Sequence, residues 1–476
     1  MTLVEAADVA GTAAARAERI AAAVPGVTLG RRLATFRAGR PVARDGTAGD
    51  PGSALGPGTV GGGPLAERLA DAVGGAVVVG RRGTLVRVDA GLIHVPIDRG
   101  RLASLPGQPS PERPLVCLDT ETTGLGTAAG TVAFTVGIGH WEGDDLRVVQ
   151  LLLPDHADEP ALLDAIEAEL GDDPALVTYN GRAFDWPLLV TRYRLHGRPA
   201  PALGAHLDLL TTVRRLFRHR LGRAGLRVVE EGLLSVRRHD DVEGWQIPGL
   251  YLDFLRGGPA GPLGRVARHN AEDIRSLGRL LVLLDRGLAD PVGRRDAHPG
   301  DLAALAALLQ RDGRPAEAID CLDAGLATIR SGRVGHGSAA GPVVAGGMAD
   351  LPWLLASRAR ILRRLGRHDE AAVAWEEAAV AAGGGGATAW TEVAKVREHA
   401  LRDLAGALLA ADRAAALLAR RRAAGGPDPV AETSIARRRA RLLRRLARAS
   451  APRTGGTGAA GGASRRALGA ERPAAT

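Results

Sequence analysis

The clearest apolar run in the chain breaks at a pair of acids. Leu115-Val116-Cys117-Leu118, entered from Pro114, passes directly into Asp119-Thr120-Glu121-Thr122-Thr123-Gly124. Four apolar residues in a row predict a buried strand. Because side chains alternate along a strand, Asp119 and Glu121 leave it on the same side. Apolar, β-branched runs at 131–139 and 146–153 predict two further strands in a meander. A helix is predicted from Glu159-Pro160, with Leu162, Leu163, Ile166 and Leu170 on one face. Residues 175–180 predict a fourth strand, stopped by Gly181. Phe184-Asp185-Trp186-Pro187 then opens a helix, since proline fits a first turn. A further helix carries Gly264 to Ile274 and continues through Leu277, Leu280, Leu281 and Leu284. Three strands, a helix, a strand and more helices predict an α/β domain over 114–286, a mixed sheet flanked by helices.

Elsewhere the pattern changes. Residues 1–66 hold an alanine-rich segment and a stretch dense in Gly, Pro, Ala and Asp without periodicity, which predicts a low-complexity region and linker. Residues 67–113 contain two short β-like runs, 76–79 and 85–88, and predict a small appended β-containing segment. From 301 to 448 the chain is rich in alanine and leucine at helical spacing. Asp369 and Asp403, and Ala371 and Ala405, recur 34 residues apart, the period of tetratricopeptide repeats, interrupted by a glycine-rich insertion at 330–347. An all-α helical-repeat region is expected, offering a groove to a protein partner; a plain helical bundle is the alternative. Arg437, Arg438, Arg439, Arg441, Arg444, Arg445 and Arg448 make its last helix basic, either to touch nucleic acid or to end the array. Residues 449–476 read as a disordered tail.

Composition narrows the class. A chain of 476 residues with 45% hydrophobic residues is long enough for two or three domains. Two cysteines, Cys117 and Cys321, lie far apart in apolar surroundings, which excludes a disulfide framework or a cysteine zinc site. No apolar run reaches the roughly 18 to 20 residues that span a bilayer. The first residues also lack a basic start and an apolar core, so the expectation is a cytoplasmic protein with no membrane contact. The net charge of +9 is compatible with a polyanionic partner. Lys395 is the sole lysine, however, so the arginine excess also fits a coding bias that acts regardless of function.

The acids carry the chemistry. An isolated Asp-x-Glu is most often two solvated groups, Asp185 alone would serve as a helix cap, and His269 with Asp273 alone would be an ordinary i,i+4 surface pair. Together they fall at strand ends and on one helical face. Like charges so placed must share a proton or be held ionised by cations. Hard oxygen ligands suit Mg²⁺ or Mn²⁺, and two such ions can clamp the attacking and leaving oxygens of a phosphodiester. A histidine beside them, with an ordinary pKa near 6.5, can take a proton from water.

Asp119-Thr120-Glu121-Thr122-Thr123-Gly124, Asn180-Gly181-Arg182-Ala183-Phe184-Asp185-Trp186-Pro187 and His269-Asn270-Ala271-Glu272-Asp273 resemble the three motifs of the DEDD 3′–5′ exonuclease superfamily. With His206–Leu210 and Ile247–Tyr251, residues 67–286 resemble more closely the YprB-type ribonuclease-H-like proteins. The resemblance implies a ribonuclease-H-like fold and a metal-dependent 3′–5′ exonuclease, acting on DNA or RNA at a single-stranded 3′ end. Asp119, Glu121, Asp185 and Asp273 would then bind two Mg²⁺ or Mn²⁺ ions, and His269 would orient or deprotonate the water. Thr122, Asn180 and Phe184 are candidate substrate contacts, Asn180 by hydrogen bonding and Phe184 by stacking, though Phe184 suits a core equally well. Asp208 reads as a residue behind the ligands or a helix cap, and the arginines at 214, 215, 218, 220 and 223 as phosphate contacts or a solvated face. One departure stands out. The superfamily's histidine branch spaces its histidine five residues before the last aspartate and its tyrosine branch spaces its tyrosine four, whereas this chain has histidine at the spacing of four. That leaves His269 as base or as a group positioning water or phosphate. The rival reading is a non-catalytic nucleic-acid-binding scaffold working through its repeats.

Overall fold

A computed structural model describes residues 63–124, 130–332 and 350–450. The expectations for residues 1–62, for the interior of the glycine-rich insertion and for the tail beyond 450 lie outside the described residues.

Seven strands form one mixed sheet: β1 (Ala76–Gly80), β2 (Gly83–His94), β3 (Leu115–Thr122), β4 (Ala133–Glu142), β5 (Asp145–Leu152), β6 (Ala175–Thr178) and β7 (Ala205–Asp208), in the order β1-β2-β5-β4-β3-β6-β7. β1 to β5 pair antiparallel with their sheet neighbours, while β3, β6 and β7 run parallel. This is the mixed sheet the sequence predicts, with two differences. His206-Leu207-Asp208 is a seventh, parallel edge strand, too short to show a period of its own. The hairpin of 67–113 extends the same sheet, because β2 pairs with β5.

Helices cover both faces: α1 (Pro64–Val73), α2 (Glu159–Leu170), α3 (Asp185–Leu195), α4 (Leu209–Leu216), α5 (Ile247–Leu255) and α6 (Gly261–Val282). In β3 the alternation is visible in the packing. Val116 and Leu118 enter a core with Ile166, Leu189, Tyr193 and Tyr251, whereas Leu115 and Cys117 enter the opposite one with Ile274 and Leu277. Tyr251 is a core residue, its ring stacked on Phe134 at 4.0 Å.

Beyond α6 the described chain is all helical: α7 (Pro299–Arg311), α8 (Pro315–Arg330), α9 (Leu351–Arg364), α10 (His368–Ala381), α11 (Ala387–His399), α12 (Leu404–Ala423) and α13 (Pro429–Ser450). Each packs on the next, and their apolar faces continue the Cys117 core without a break. Two buried aspartates tie this region to the sheet domain. Asp285 accepts a fork from Arg101 at 2.6 and 2.7 Å, and Asp301, in the first turn of α7, accepts one from Arg220 at 3.1 and 2.7 Å. Arg220 thus has a structural partner, while Arg214, Arg215, Arg218 and Arg223 are exposed. No helix among the described residues is long and apolar enough to cross a membrane.

Part of the basic last helix is likewise structural. Arg438, Arg441 and Arg445 of α13 converge on the buried Glu398 of α11. Burial alone would raise that carboxyl, but the arginines outweigh it and hold it down at about 2. A carboxyl whose folded value lies below its unfolded one stabilises the fold above the unfolded pKa, near 4.3, and that stability is lost as pH falls toward the folded value. Glu398→Gln should therefore lower stability at pH 7 by about 1–2 kcal/mol, reduced from the full linkage value by solvent screening of Arg441 and Arg445. Chemical denaturation of the two proteins should show the gap closing between pH 4.5 and pH 2; a gap independent of pH would contradict this.

Candidate active site

Asp119 and Glu121 stand where β3 emerges from the core, on the side that faces α6. What brings α6 close is the neighbouring strand. Gly137 and Gly139 of β4 lie directly opposite Asp119 and Cys117. A Cβ at 137 would come within 2.4 Å of Asn270 Oδ1, and one at 139 within 2.8 Å of Ile274. Only glycine allows that approach. It sets the fully buried Asn270 against Asp119, to which its Nδ2 donates at 2.9 Å, while Asn270 Oδ1 accepts from Gln150 Nε2 at 2.8 Å. Gln150 also donates to Ala267 O at 2.7 Å. Asp119 is therefore held by a relay of two buried amides that begins two strands away.

Asp185 arrives by a sharp reversal after β6. Asn180 takes a left-handed conformation (φ 68°), which asparagine tolerates better than most residues. Its N–H donates to Asp208 Oδ1 at 2.8 Å, and the same oxygen accepts from Leu210 N at 3.0 Å. Asp208 thus both caps α4 and pins the turn. Gly181 follows, where a Cβ would meet Thr178 at 2.6 Å and Asp185 Oδ2 at 2.8 Å. Asp185 then begins α3, its carboxylate accepting from Thr120 Oγ1 at 2.5 Å. Thr120 points to the face of β3 opposite Asp119 and Glu121, so Asp185 reaches the acids from around the strand's end.

His269 and Asp273 lie one turn apart on α6. His269 Nε2 is 3.8 Å from both Glu121 Oε1 and Asp273 Oδ2. One ligand atom each from Glu121, His269 and Asp273 fits within 4.8 Å of the others. Two residues of the loop before α5, neither of them singled out in the sequence, complete the group. Asp241 Oδ1 lies 2.7 Å from His269 Nδ1. A carboxylate only accepts, which puts a proton on Nδ1, and Nε2 is the ring nitrogen that faces Glu121 and Asp273. Arg238 is paired with Asp273 and Glu230 and lies 3.5 Å from Asp241 Oδ2. Glu230 is itself buried and accepts from Ser276 Oγ at 2.6 Å. The stretch 235–242 has no periodicity to mark it, and only the fold reveals its role.

The electrostatics fit a cation site. Burial, then repulsion from Asp273, Asp185 and Glu121, pushes the Asp119 carboxyl well above the ordinary range. Glu121 rises for the same reasons. Burial also raises Asp185 and Asp273, against the opposing pull of Thr120 on one and Arg238 on the other. Within the described residues Arg238 is the one arginine bonded to these four carboxylates, and it touches only Asp273. The donor set, all carboxylate oxygen with one imidazole, suits Mg²⁺ or Mn²⁺.

Beside the acids lies a cavity of about 300 Å³ lined by Glu121, Thr122, Asn180, Phe184, Asp185 and Ile247, among others. All three candidate substrate contacts border it. Phe184 is 48% exposed, which places it outside the core and leaves its ring free. Thr122 Oγ1 is engaged with Gly124 O at 2.6 Å.

Comparison with known proteins bears on the domain that carries these residues. Residues 116–285 match the model of the RNase_H superfamily. A stretch of 174 residues, 36% of the chain, is 40% identical to the uncharacterized protein YprB of Bacillus subtilis (strain 168). The match spans 42% of that relative's length.

Two outcomes are expected. Mn²⁺ or Mg²⁺ should raise the thermal midpoint of the wild type, by about 2.7 kcal/mol of added stability at a hundredfold excess over Kd, and Asp119→Asn should lose most of that increment. Gly137→Ala, which crowds Asn270, should cost about 1–3 kcal/mol in denaturant unfolding; a neutral substitution would mean that the helix has room to retreat.

Proposed function

We propose that this chain, whose residues 116–285 form a domain of the RNase_H superfamily, is a metal-dependent 3′–5′ exonuclease that hydrolyses phosphodiesters of single-stranded DNA or RNA. The observation that carries the reading is the electrostatic coupling of Asp119 to Glu121, Asp185 and Asp273, acids drawn from three separated segments, with His269 Nε2 3.8 Å from both Glu121 and Asp273.

Asp119, Glu121, Asp185 and Asp273 would hold a pair of Mg²⁺ or Mn²⁺ ions, which when bound supply charge to offset that developing on the phosphate oxygens. The protein's own residues do the rest. Asp241 keeps the His269 proton on Nδ1, so Nε2 can accept a proton from the attacking water and Asp241 can stabilise the imidazolium that results. Histidine at the four-residue spacing serves as base here because Asp241 orients its ring. Asn270 and Thr120 hold the Asp119 and Asp185 carboxylates in place. A terminal nucleoside would enter the cavity bounded by Phe184, stacking on its ring and hydrogen-bonding to Asn180.

The helical region is read as degenerate tetratricopeptide-like hairpins α7–α8, α9–α10 and α11–α12 that recruit a protein partner. The sequential packing of these helices supports this, as does the position of Asp369 and Asp403 at the start of the second helix of successive hairpins. A cytoplasmic location belongs to the same proposal.

End-labelled single-stranded DNA and RNA incubated with Mg²⁺ or Mn²⁺ should shorten one nucleotide at a time from the 3′ end. Asp119→Ala and Asp185→Ala should reduce this to background, and Asp241→Asn should slow it by about 10–100-fold. Equal degradation by wild type and both alanine variants would assign the cleavage to a contaminant and remove the enzymatic reading.

A further inference from the structure

A second cavity, of about 340 Å³, lies around His269, one helical turn from Asp273. His269, Arg238 and Asp241 form its inner wall, and Arg237, Arg265 and Arg268 its outer one. His269 of this cavity and Glu121 of the first lie side by side, Nε2 standing 3.8 Å from Oε1. Arg265 and Arg268 are one turn apart on α6, on the face that carries His269, and Arg237 opposes them from the loop. All three are exposed. Most arginines around them are engaged: Arg275 with Glu272 and Ala90 O, Arg279 with Glu272, Arg238 with Glu230 and Asp273. Among the described residues Arg237, Arg265 and Arg268 have no hydrogen-bond or ion-pair partner. Three guanidinium groups without an ion-pair partner thus line this cavity together with Asp240, Asp241 and Glu272, and offset the repulsion of a polyanion by these and the neighbouring acids.

We propose that Arg237, Arg265 and Arg268 form a phosphate track that grips the strand on the 5′ side of the scissile linkage. The assignment rests on the exonuclease reading: with the terminal nucleoside in the Phe184 cavity and the reacting phosphate at His269 and Glu121, the remaining strand leaves through the second cavity. A guanidinium fork bonded to phosphate oxygens reads neither base nor sugar, so the track takes DNA and RNA alike. It also explains how a strand approaches four carboxylates at all.

The test is binding of 5′-fluorescein-labelled dT12 and rU12, followed by anisotropy in Mg²⁺ across a salt series. The full chain carries Asp185→Asn throughout, so that the oligomers stay intact. Each phosphate contact on a single strand contributes about 0.7 to the slope of log K against log salt. Arg237→Gln, Arg265→Gln and Arg268→Gln combined should therefore flatten the slope by about 2 and weaken low-salt binding at least tenfold, for both oligomers. A control removes the same charge at Arg81, Arg311 and Arg364, which are also exposed and unpaired, and should leave the slope unchanged. An unchanged slope in the track variant, an equal loss in the control, or a loss confined to one oligomer would each overturn the proposal. Matching melting curves confirm that the variants are folded. Failure of the nuclease reading would show separately, as no shortening of either oligomer by the otherwise wild-type chain.

Discussion

Carboxylates that repel one another in partly buried space need help, and much of the local architecture answers that constraint. Burial favours protonation at Asp119, Glu121, Asp185 and Asp273, and repulsion from Asp273 and Asp185 adds to it at Asp119 and Glu121. The protein offers partial relief through single, directed contacts: Asn270 to Asp119, Thr120 to Asp185, Arg238 to Asp273. None of these neutralises the group as a whole. An arrangement that stores repulsion and relieves it incompletely is poised to bind cations, which is why the site reads as a metal centre rather than as a surface patch of acids.

Holding such a group together requires rigid supports on every side. β3 supplies two acids through simple alternation. α6 supplies Asp273, His269 and Asn270 in two turns, and its closeness to the sheet depends on Gly137 and Gly139. The loop at 235–242 closes the remaining side, with Asp241 fixing the His269 tautomer and Arg238 bridging to Glu230. Because Asn270, Gln150 and Glu230 are buried polar residues with partners, loss of one would leave another buried group unsatisfied. Stability and site geometry are therefore coupled here.

The helical region shares this economy of charge. Its first helix is joined to the sheet domain by Arg220 and Asp301, as is the turn after α6 by Arg101 and Asp285, while its last helix is held to α11, within the region itself, by three arginines on Glu398. Arginines that look in sequence like one nucleic-acid-binding surface divide, in the fold, into those spent on buried acids and those left facing solvent.

The sequence alone pointed to six of the seven strands, to most helices and to the four acids with His269 as candidates, because each depends on local periodicity or on a short motif at fixed spacing. Alternation places Asp119 and Glu121 together, and one helical turn places His269 by Asp273. What it could not display is whatever depends on residues distant in the chain. Gln150, Asn270 and Gly137 look unremarkable until β4, β5 and α6 are stacked. Asp241 and Arg238 lie in an aperiodic loop whose position is set by tertiary packing, and β7 is too short to announce itself. The acids were legible as a group because their chemistry is written in their identities. The orientation of the His269 ring, the amide relay behind Asp119 and the exposed arginines near it were decided by distances between segments, which no local pattern encodes.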